Sequence, residues 1–507
     1  MNLKYNTIAN YCGRLYTILM GIIALPFYLQ YLGSAAFGLI SLYTVIQSWL
    51  SVFDLGLTAT LSREVAYYHH QQDGFLNIRQ LLRSLEIIFL VINMVIVFTI
   101  LFSSPWMAHH WLRIENLTYS EVIYCIAIIG MMISLRWFAD LYRAGILGIE
   151  QQVWLNSVSI LIATLQYGGG YILLRWISRM PSHFFEYQLF VAAIEPIILG
   201  VKIYKIIPLS STSFWNLNIS WKLMRKIFPF AGSIFYTSFI WTILTQLDKL
   251  VLSHILSLST YGYFALITVI SGGILQFVAP ISQALLPRMT HLLSQGNTAE
   301  MLQLYRHATQ IIAVIMLPLT GIVAIFSTEI IYIWTGNRLA AAWAGPILFW
   351  YVLGNGILSI SAFQYYLQFA YGDLKLHVIF NTIFMIVAIP LILFSAYYYG
   401  ARGTAITWFL MQSVSFFIWP PIIHRKYAPG IHFKWLFKDI LPTLIVVVAM
   451  LICIGILPID FGLMNRYESF TILGGFTMVI LISSILTSST CRHFLMTFIQ
   501  DQRKIIA

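Results

Sequence analysis

The chain has 507 residues, of which 59% are hydrophobic and only 9% charged, with a mean hydropathy of +0.82. A soluble globular chain carries about 25% charged residues, so a water-soluble fold of this length is excluded and lipid must be the solvent. The formal net charge of +11 fits the Lys and Arg that membrane proteins collect in cytoplasmic loops, and no nucleic-acid partner is expected.

In lipid every backbone polar group needs an internal partner, which leaves helices or closed barrels. The apolar runs here are continuous over about 20 residues, whereas barrel strands alternate over about 10. In chain order the predicted helices fall at 8–32, 37–60, 83–103, 119–141, 153–176, 184–206, 228–256, 261–286, 308–333, 344–370, 376–399, 402–423, 440–458 and 469–488. The first is long and lacks a signal-peptidase site of the A-x-A kind, so it reads as an uncleaved signal anchor. Cys12, Cys125, Cys453 and Cys491 lie in or beside apolar segments without C-x-x-C spacing, which argues against a disulfide framework or a metal site.

An even number of spans puts both termini on one side. With the N-terminus inside, the inner segments hold 20 Lys and Arg and the outer segments 7, with Arg14 and Arg136 within helices. The positive-inside rule therefore places both termini in the cytoplasm. No soluble domain appears.

The chain also repeats itself. Shifted by 224 residues, 37–66 aligns without gaps on 261–290, with seven identities that include Gly38/Gly262 and Phe53/Phe277. The register lays the second helix on the eighth, so the unit is six helices, and an even-numbered unit repeats in the same topology. The expected fold is an all-α polytopic membrane protein of about fourteen transmembrane helices, with two six-helix lobes in parallel repeat plus two C-terminal helices. The lobes are 1–207 and 228–424, joined by a cytoplasmic linker at 208–227. The last two helices and a cytoplasmic tail occupy 425–507.

The stretch from Ala24 to Ala66 carries a family resemblance. It has Pro26 in the outer half of the first helix, then Leu32, Gly33, Phe37, Gly38 and Leu39 around a turn. Asp54, Gly56 and Leu57 follow, with Arg63 closing the second helix. Together with Gln246-Leu247-Asp248-Lys249 and Tyr261-Gly262, it resembles the polysaccharide transporter family, the Wzx-like flippases of O-antigen and capsule repeat units. These belong to the multidrug/oligosaccharidyl-lipid/polysaccharide superfamily. The motifs support helices 1–2 and 7–8 specifically, and the length and helix plan cover the whole chain. The resemblance implies a V-shaped two-lobe bundle, alternating access, and outward movement of an undecaprenyl-diphosphate-linked oligosaccharide in a bacterial inner membrane. It also implies membrane lipids as surroundings, a protein functional as a monomer, and the polymerase and chain-length regulator of the same pathway as neighbours.

Ionisable groups within membrane helices are costly and are functional candidates by default. Arg14 lies 18 residues before Leu32, and Asp54 lies 17 after Phe37. On antiparallel helices both sit about 25–27 Å from the outer turn, so they can pair. Two readings stand for Arg14. It snorkels to the inner interface with Asp54 as a structural partner, or it lines the inward mouth and binds a substrate phosphate bidentately. Arg136 and Asp140 are spaced i,i+4 and can neutralise each other, or Arg136 forms a second cationic wall. Asp248 and Lys249 lie about 10–12 Å inside the outer boundary and face different directions. Lys249 either snorkels outward or is a cleft cation that receives the headgroup on the outer side, with Asp248 as its partner or a proton carrier. Glu195, followed by Pro196 in mid-helix, is a proton or Na⁺ site or else a hydrogen-bonded interior carboxyl. Arg14, Arg136, Lys249 and Arg63 are thus the candidate substrate-binding cations. Asp54, Asp140, Asp248 and Glu195 are the candidate charge partners or coupling sites. No cofactor is expected beyond H⁺ or Na⁺ as a coupling ion.

Three rival functions share this plan or pathway. Multidrug extruders of the superfamily commonly place an acid in the first helix, where this chain has Arg14. A peptidoglycan-precursor flippase has the same helix count and a cationic cleft, and the Asp54 motif favours the polysaccharide branch over it. A polymerase or ligase needs a sizeable outer domain, whereas the one sizeable outer loop, 103–118, offers only His109, His110 and Arg113. The chain is therefore expected not to be an enzyme.

Overall fold

The computed structural model describes residues 3–69, 74–207 and 221–492. Ten stretches are long and apolar enough to cross a membrane. Two of them are helical hairpins. Leu3–Leu50 is two helices meeting at Gly33 (φ 81°), here α1 (3–32) and α2 (34–50). Lys375–Tyr427 likewise joins two helices at Gly400 (φ 58°), here α11 (375–399) and α12 (401–427). A reversal at positive φ costs glycine nothing, whereas any other residue would meet its own Cβ.

The remaining helices are α3 (Gly74–Trp106), α4 (Tyr119–Gly148), α5 (Gln152–Ile177), α6 (Pro181–Ile206) and α7 (Trp221–Ile255). After them come α8 (Leu258–Gln276), α9 (Thr298–Ile325), α10 (Arg338–Ala370), α13 (His432–Ile456) and α14 (Arg466–Thr487). Ten stretches, two of them double, plus α6 and α7 with 26 and 35 residues, give the fourteen numbered helices, beside shorter ones such as Leu57–Tyr68 and Val278–Ser294. This is the expected all-α polytopic membrane fold. At 1.5 Å per residue each of those two exceeds the ~30 Å hydrocarbon core.

The chain divides into two compact units, Met1–Gly262 and Tyr263–Ala507. The linker expected at 208–227 lies outside the described residues as far as 220, and helix runs from Trp221 onward. The tail beyond 492 also lies outside them. The sequence repeat assigns α7 to the second lobe, but α7 groups with the first unit because its partners are there. Trp111 Nε1 donates to Ser253 Oγ (2.9 Å), and the Leu258 amide that follows α7 donates to the Arg113 carbonyl (2.8 Å).

The offset of 224 is visible in local structure. α2 breaks at Ser51–Asp54 and resumes as Leu57–Tyr68, while α8 breaks at Phe277, the counterpart of Phe53, and resumes as Val278–Ser294. Within the first unit, Gly38 and Gly262 also meet the chain reciprocally. A Cβ on Gly38 would lie 2.3 Å from the Leu258 carbonyl oxygen, and one on Gly262 would lie 2.1 Å from that of Ser34. Ser34 and Leu258 are themselves 224 residues apart, so the two contacts are copies of each other. Both obstacles are backbone, which no rotamer can relieve. Gly38→Ala and Gly262→Ala are each expected to cost about 1–3 kcal/mol by overpacking and to lower the unfolding midpoint in detergent. Gly474→Ala, where nothing lies within 4 Å, serves as the silent control.

In the second unit, α13 and α14 are built onto α9. Ile322 and Phe326 pack with Val447, Leu451, Ile454, Leu473 and Ile480. A buried polar network fixes the same helices. Asp439 accepts from Arg306 Nε (2.7 Å) and Nη2 (2.8 Å) and from Gln310 Nε2 (2.7 Å). Gln310 Oε1 in turn accepts from Ser488 (2.9 Å) and Thr490 (2.7 Å), just beyond α14.

Candidate functional site

Within the first unit, α1, α4, α5 and α6 line an open cavity of about 290 Å³ that presents several polar and charged side chains, near the small end of ligand pockets. Helical spacing puts its lining on single faces. Arg136 and Arg143 are seven residues apart on α4, which is two turns. Gly13, Arg14 and Thr17 share a face of α1. Asn156, Ser159, Ala163 and Gln166 form a stripe on α5, and Glu195 enters from α6. Three arginines against one glutamate leave two net positive charges on the lining.

The charges are arranged unequally. Glu195 is almost fully buried, and its Oε1 accepts directly from Arg143 Nη2. Arg143 also reaches Ser159 Oγ through Nη1 (3.3 Å), and its Nε lies 3.5 Å from Asp140 Oδ1. This Arg143 Nε is buried without a hydrogen-bond partner, and Arg136 is less satisfied still. Its Nε and Nη2 are buried with no hydrogen-bond partner. Its guanidinium carbon lies 6.0 Å from the Tyr43 ring centroid, at the far limit of a cation–π contact. A buried cation left unsatisfied is costly, and its natural complement is an anion entering the cavity.

The local fold of α5 supports the cavity wall. The helix widens into π turns at Thr164–Gly169 and Leu173–Ile177, a deviation frequent at functional sites. The side chains of its neighbours take the exposed carbonyls. Tyr28 donates to Gln166 and Tyr167 (both 3.0 Å), Gln188 to Gln166 (3.0 Å), and Tyr187 to Leu165 (2.7 Å). These contacts tie α1, α5 and α6 around Gln166, which lines the cavity.

Of the eight residues expected at the site, Arg14, Arg136 and Glu195 line this cavity, and Asp140 stands beside it on Arg143. The expected Arg136–Asp140 pair does not form. Asp140 turns to Arg143, whose guanidinium Glu195 and Ser159 also hold in place. Asp54 serves elsewhere. Leu55 and Gly56 both take positive φ, and the Asp54 carboxylate accepts from the Thr58 amide (3.2 Å) and hydroxyl (2.8 Å), restarting the helix after the break. Asp248 and Lys249 do not face apart. Lys249 Nζ lies 3.2 Å from Asp248 Oδ1 and also donates to the Thr245 carbonyl, so the pair closes on its own helix. Arg63, largely exposed, lies 3.9 Å from Glu64, outside the cavity.

Arg143, Asn156, Ser159 and Gln166 line the cavity and were not among the residues expected at the site. The signal for the last three was present as polar residues at helical spacing in an otherwise apolar span. For Arg143 the signal lay in Glu195, on a different helix.

Comparison with known proteins bears on what such a cavity serves. A family model described as "Polysaccharide biosynthesis protein" matches residues 3–293, more than half the chain. A Shigella flexneri protein named "Putative O-antigen transporter" is 21% identical over 421 residues, covering 80% of this chain and 94% of that protein. Among solved structures, a lipid II flippase MurJ in an inward closed conformation superposes with a TM-score of 0.70 at 14% identity, covering 95% of this chain and 97% of that one. An inward-facing multidrug resistance MATE family transporter of the MOP superfamily gives 0.61 at 12% identity, with 80% and 95% covered. At such identities the structures speak to the fold alone. These relatives are named as a putative transporter, a flippase and a multidrug transporter, and the chain shares the multi-helix membrane fold of the two solved structures.

Proposed function

We propose that this chain, which belongs to the polysaccharide biosynthesis protein family, is a flippase for diphosphate-linked polyprenyl oligosaccharides. It carries the repeat units of a surface polysaccharide such as O-antigen from the cytoplasmic to the outer leaflet of a bacterial inner membrane. One observation carries the reading. A cavity inside a membrane helix bundle holds three arginines, and one of them has two buried nitrogens without a partner. A guanidinium binds phosphate oxygens in a bidentate fork, so the cavity suits the diphosphate. The prenyl tail stays in lipid and the sugar head crosses in a wet cleft by alternating access. The distribution of 20 inner against 7 outer Lys and Arg supports cytoplasmic termini. An inside-negative potential drives an anion outward by about 2.3 kcal/mol per charge per 100 mV, and H⁺ or Na⁺ coupling through Glu195 adds to it. The protein acts as a monomer, handing its product to the polymerase and chain-length regulator of the pathway.

Cells lacking the gene are expected to accumulate complete lipid-linked repeat units on the inner leaflet, measured by leaflet-selective labelling. Normal crossing with shortened polymer chains would contradict the proposal. A peptidoglycan-precursor flippase, the reading favoured by the likeness in fold to the lipid II flippase, would instead strand peptidoglycan precursors.

A further inference from the structure

We infer that Arg175, Arg179 and Tyr31 form a second phosphate site in the first unit, at the opposite end of α1 and α5 from the cavity, and that it receives the diphosphate of the lipid-linked substrate on the outer side. The inference rests on the flippase reading above and adds an exit site to the cavity.

The geometry around Tyr31 carries the argument. Arg175 lies in the second π turn of α5, and Arg179 lies in the loop between α5 and α6. Both converge on Tyr31 of α1. Arg175 Nη1 donates to the Tyr31 hydroxyl (3.0 Å), and the Arg175 and Arg179 guanidinium carbons lie 5.9 and 5.2 Å from the Tyr31 ring centroid. Both arginines are exposed. Among the described residues neither forms an ion pair, and Arg179 makes no hydrogen bond. Two like charges gathered at one ring repel each other, and an anion between them turns that repulsion into attraction. A phenol can accept and donate at once. The Tyr31 oxygen accepts from Arg175, so its own proton is left to donate to the same anion.

Charge and position select the occupant. A sugar-linked prenyl diphosphate carries one negative charge on each phosphate, which matches two guanidiniums. A bilayer phosphodiester such as phosphatidylglycerol carries one in all. Trp176 and Ile177, beside Arg175 on α5, are exposed and offer an apolar surface for a prenyl tail that stays in lipid. The site also lies on the helices that line the cavity. Arg14 and Thr17 precede Tyr31 by 17 and 14 residues on α1, which is about 21–26 Å of helix and most of the ~30 Å hydrocarbon core. Only 7 Lys and Arg fall on the outer side, and two of them meet here. The α1–α5 pair thus presents phosphate donors near each membrane face, the cavity for loading and the Tyr31 cluster for release.

Farnesyl diphosphate, titrated into the purified full-length chain in phosphatidylcholine nanodiscs, tests this by calorimetry with empty nanodiscs as the blank. The wild type is expected to bind at two sites. Arg175→Gln combined with Arg179→Gln is expected to weaken one of them by roughly tenfold or more, the loss that follows from removing hydrogen bonds to a charged group, and to leave the other intact. Arg136→Met is expected to do the reverse. Both outer arginines are exposed, so the double variant should keep the wild-type unfolding midpoint, and Arg179→Gln alone, which removes no hydrogen bond, is the second variant should it not. Binding that Arg136→Met weakens and the outer variants leave unchanged overturns the exit site while the cavity reading stands. Loss of the outer site alone in nanodiscs containing phosphatidylglycerol assigns it to bilayer phospholipid and overturns the diphosphate as occupant. A single site, lost in the outer variants and kept in Arg136→Met, overturns the cavity reading instead. No binding by the wild type overturns both.

Discussion

Replacing Arg136 by Met is expected to reduce transport of the lipid-linked substrate at least tenfold while leaving the unfolding midpoint unchanged or raised. The two halves of this result have one cause. Arg136 Nε and Nη2 are buried without hydrogen-bond partners, so in the empty protein these two nitrogens carry a desolvation cost that no hydrogen bond offsets. Met fills similar volume without that cost. In the loaded protein the same nitrogens donate to phosphate, and a hydrogen bond to a charged group contributes about 1.5–3 kcal/mol, or roughly 10- to 100-fold in affinity. Arg136→Lys keeps the charge but not the bidentate fork, and is expected to fall between wild type and Met. Transport is measured in vesicles and stability by thermal unfolding of the same preparations. A residue held only for structure would move both quantities down together.

Asp439→Ala is expected to destabilise the second unit by about 3 kcal/mol, near the lower end of the 3–5 kcal/mol typical of breaking a buried ion pair. Asp439 is fully buried, and its two oxygens accept from Nε and Nη2 of Arg306 and from Nε2 of Gln310. Removing it strands a cation that keeps only 26% of its side-chain surface exposed. It also frees Gln310, which holds Ser488 and Thr490 beyond α14. The loss should therefore appear as a lowered unfolding midpoint together with proteolytic access around 488–492. Arg306→Met combined with Asp439→Leu should recover most of the stability, because an apolar pair of matched volume carries no stranded charge. An unchanged midpoint in Asp439→Ala would show that α13 and α14 are held by the apolar cluster alone.

The helices were legible because lipid imposes length and apolarity on every span, and the turn at Gly33 because no other residue takes φ 81° without strain. The repeat was legible as an offset, and Gly38 and Gly262 were among its identities. That these glycines touch the chain reciprocally was not legible, since spacing does not report contact. Charge partners were the weakest part. Spacing of i,i+4 shows that Arg136 and Asp140 can meet, but not that Glu195, 52 residues beyond Arg143, would hold the neighbouring arginine at the cavity with Asp140 turned toward it. Asp54 was legible as a motif and misassigned in role. Asp followed by Leu55 and Gly56, both at positive φ, is a helix restart, and its carboxylate is used locally. The Arg306–Asp439 pair spans 133 residues, and no local pattern announces it.

The most direct measurement is translocation by the purified chain in proteoliposomes loaded with a lipid-linked repeat unit, read by the fraction of sugar heads accessible on the far leaflet. The account predicts protein-dependent crossing that Arg136→Met largely abolishes. Crossing no faster than in protein-free vesicles, or crossing that survives the loss of Arg136, would contradict it.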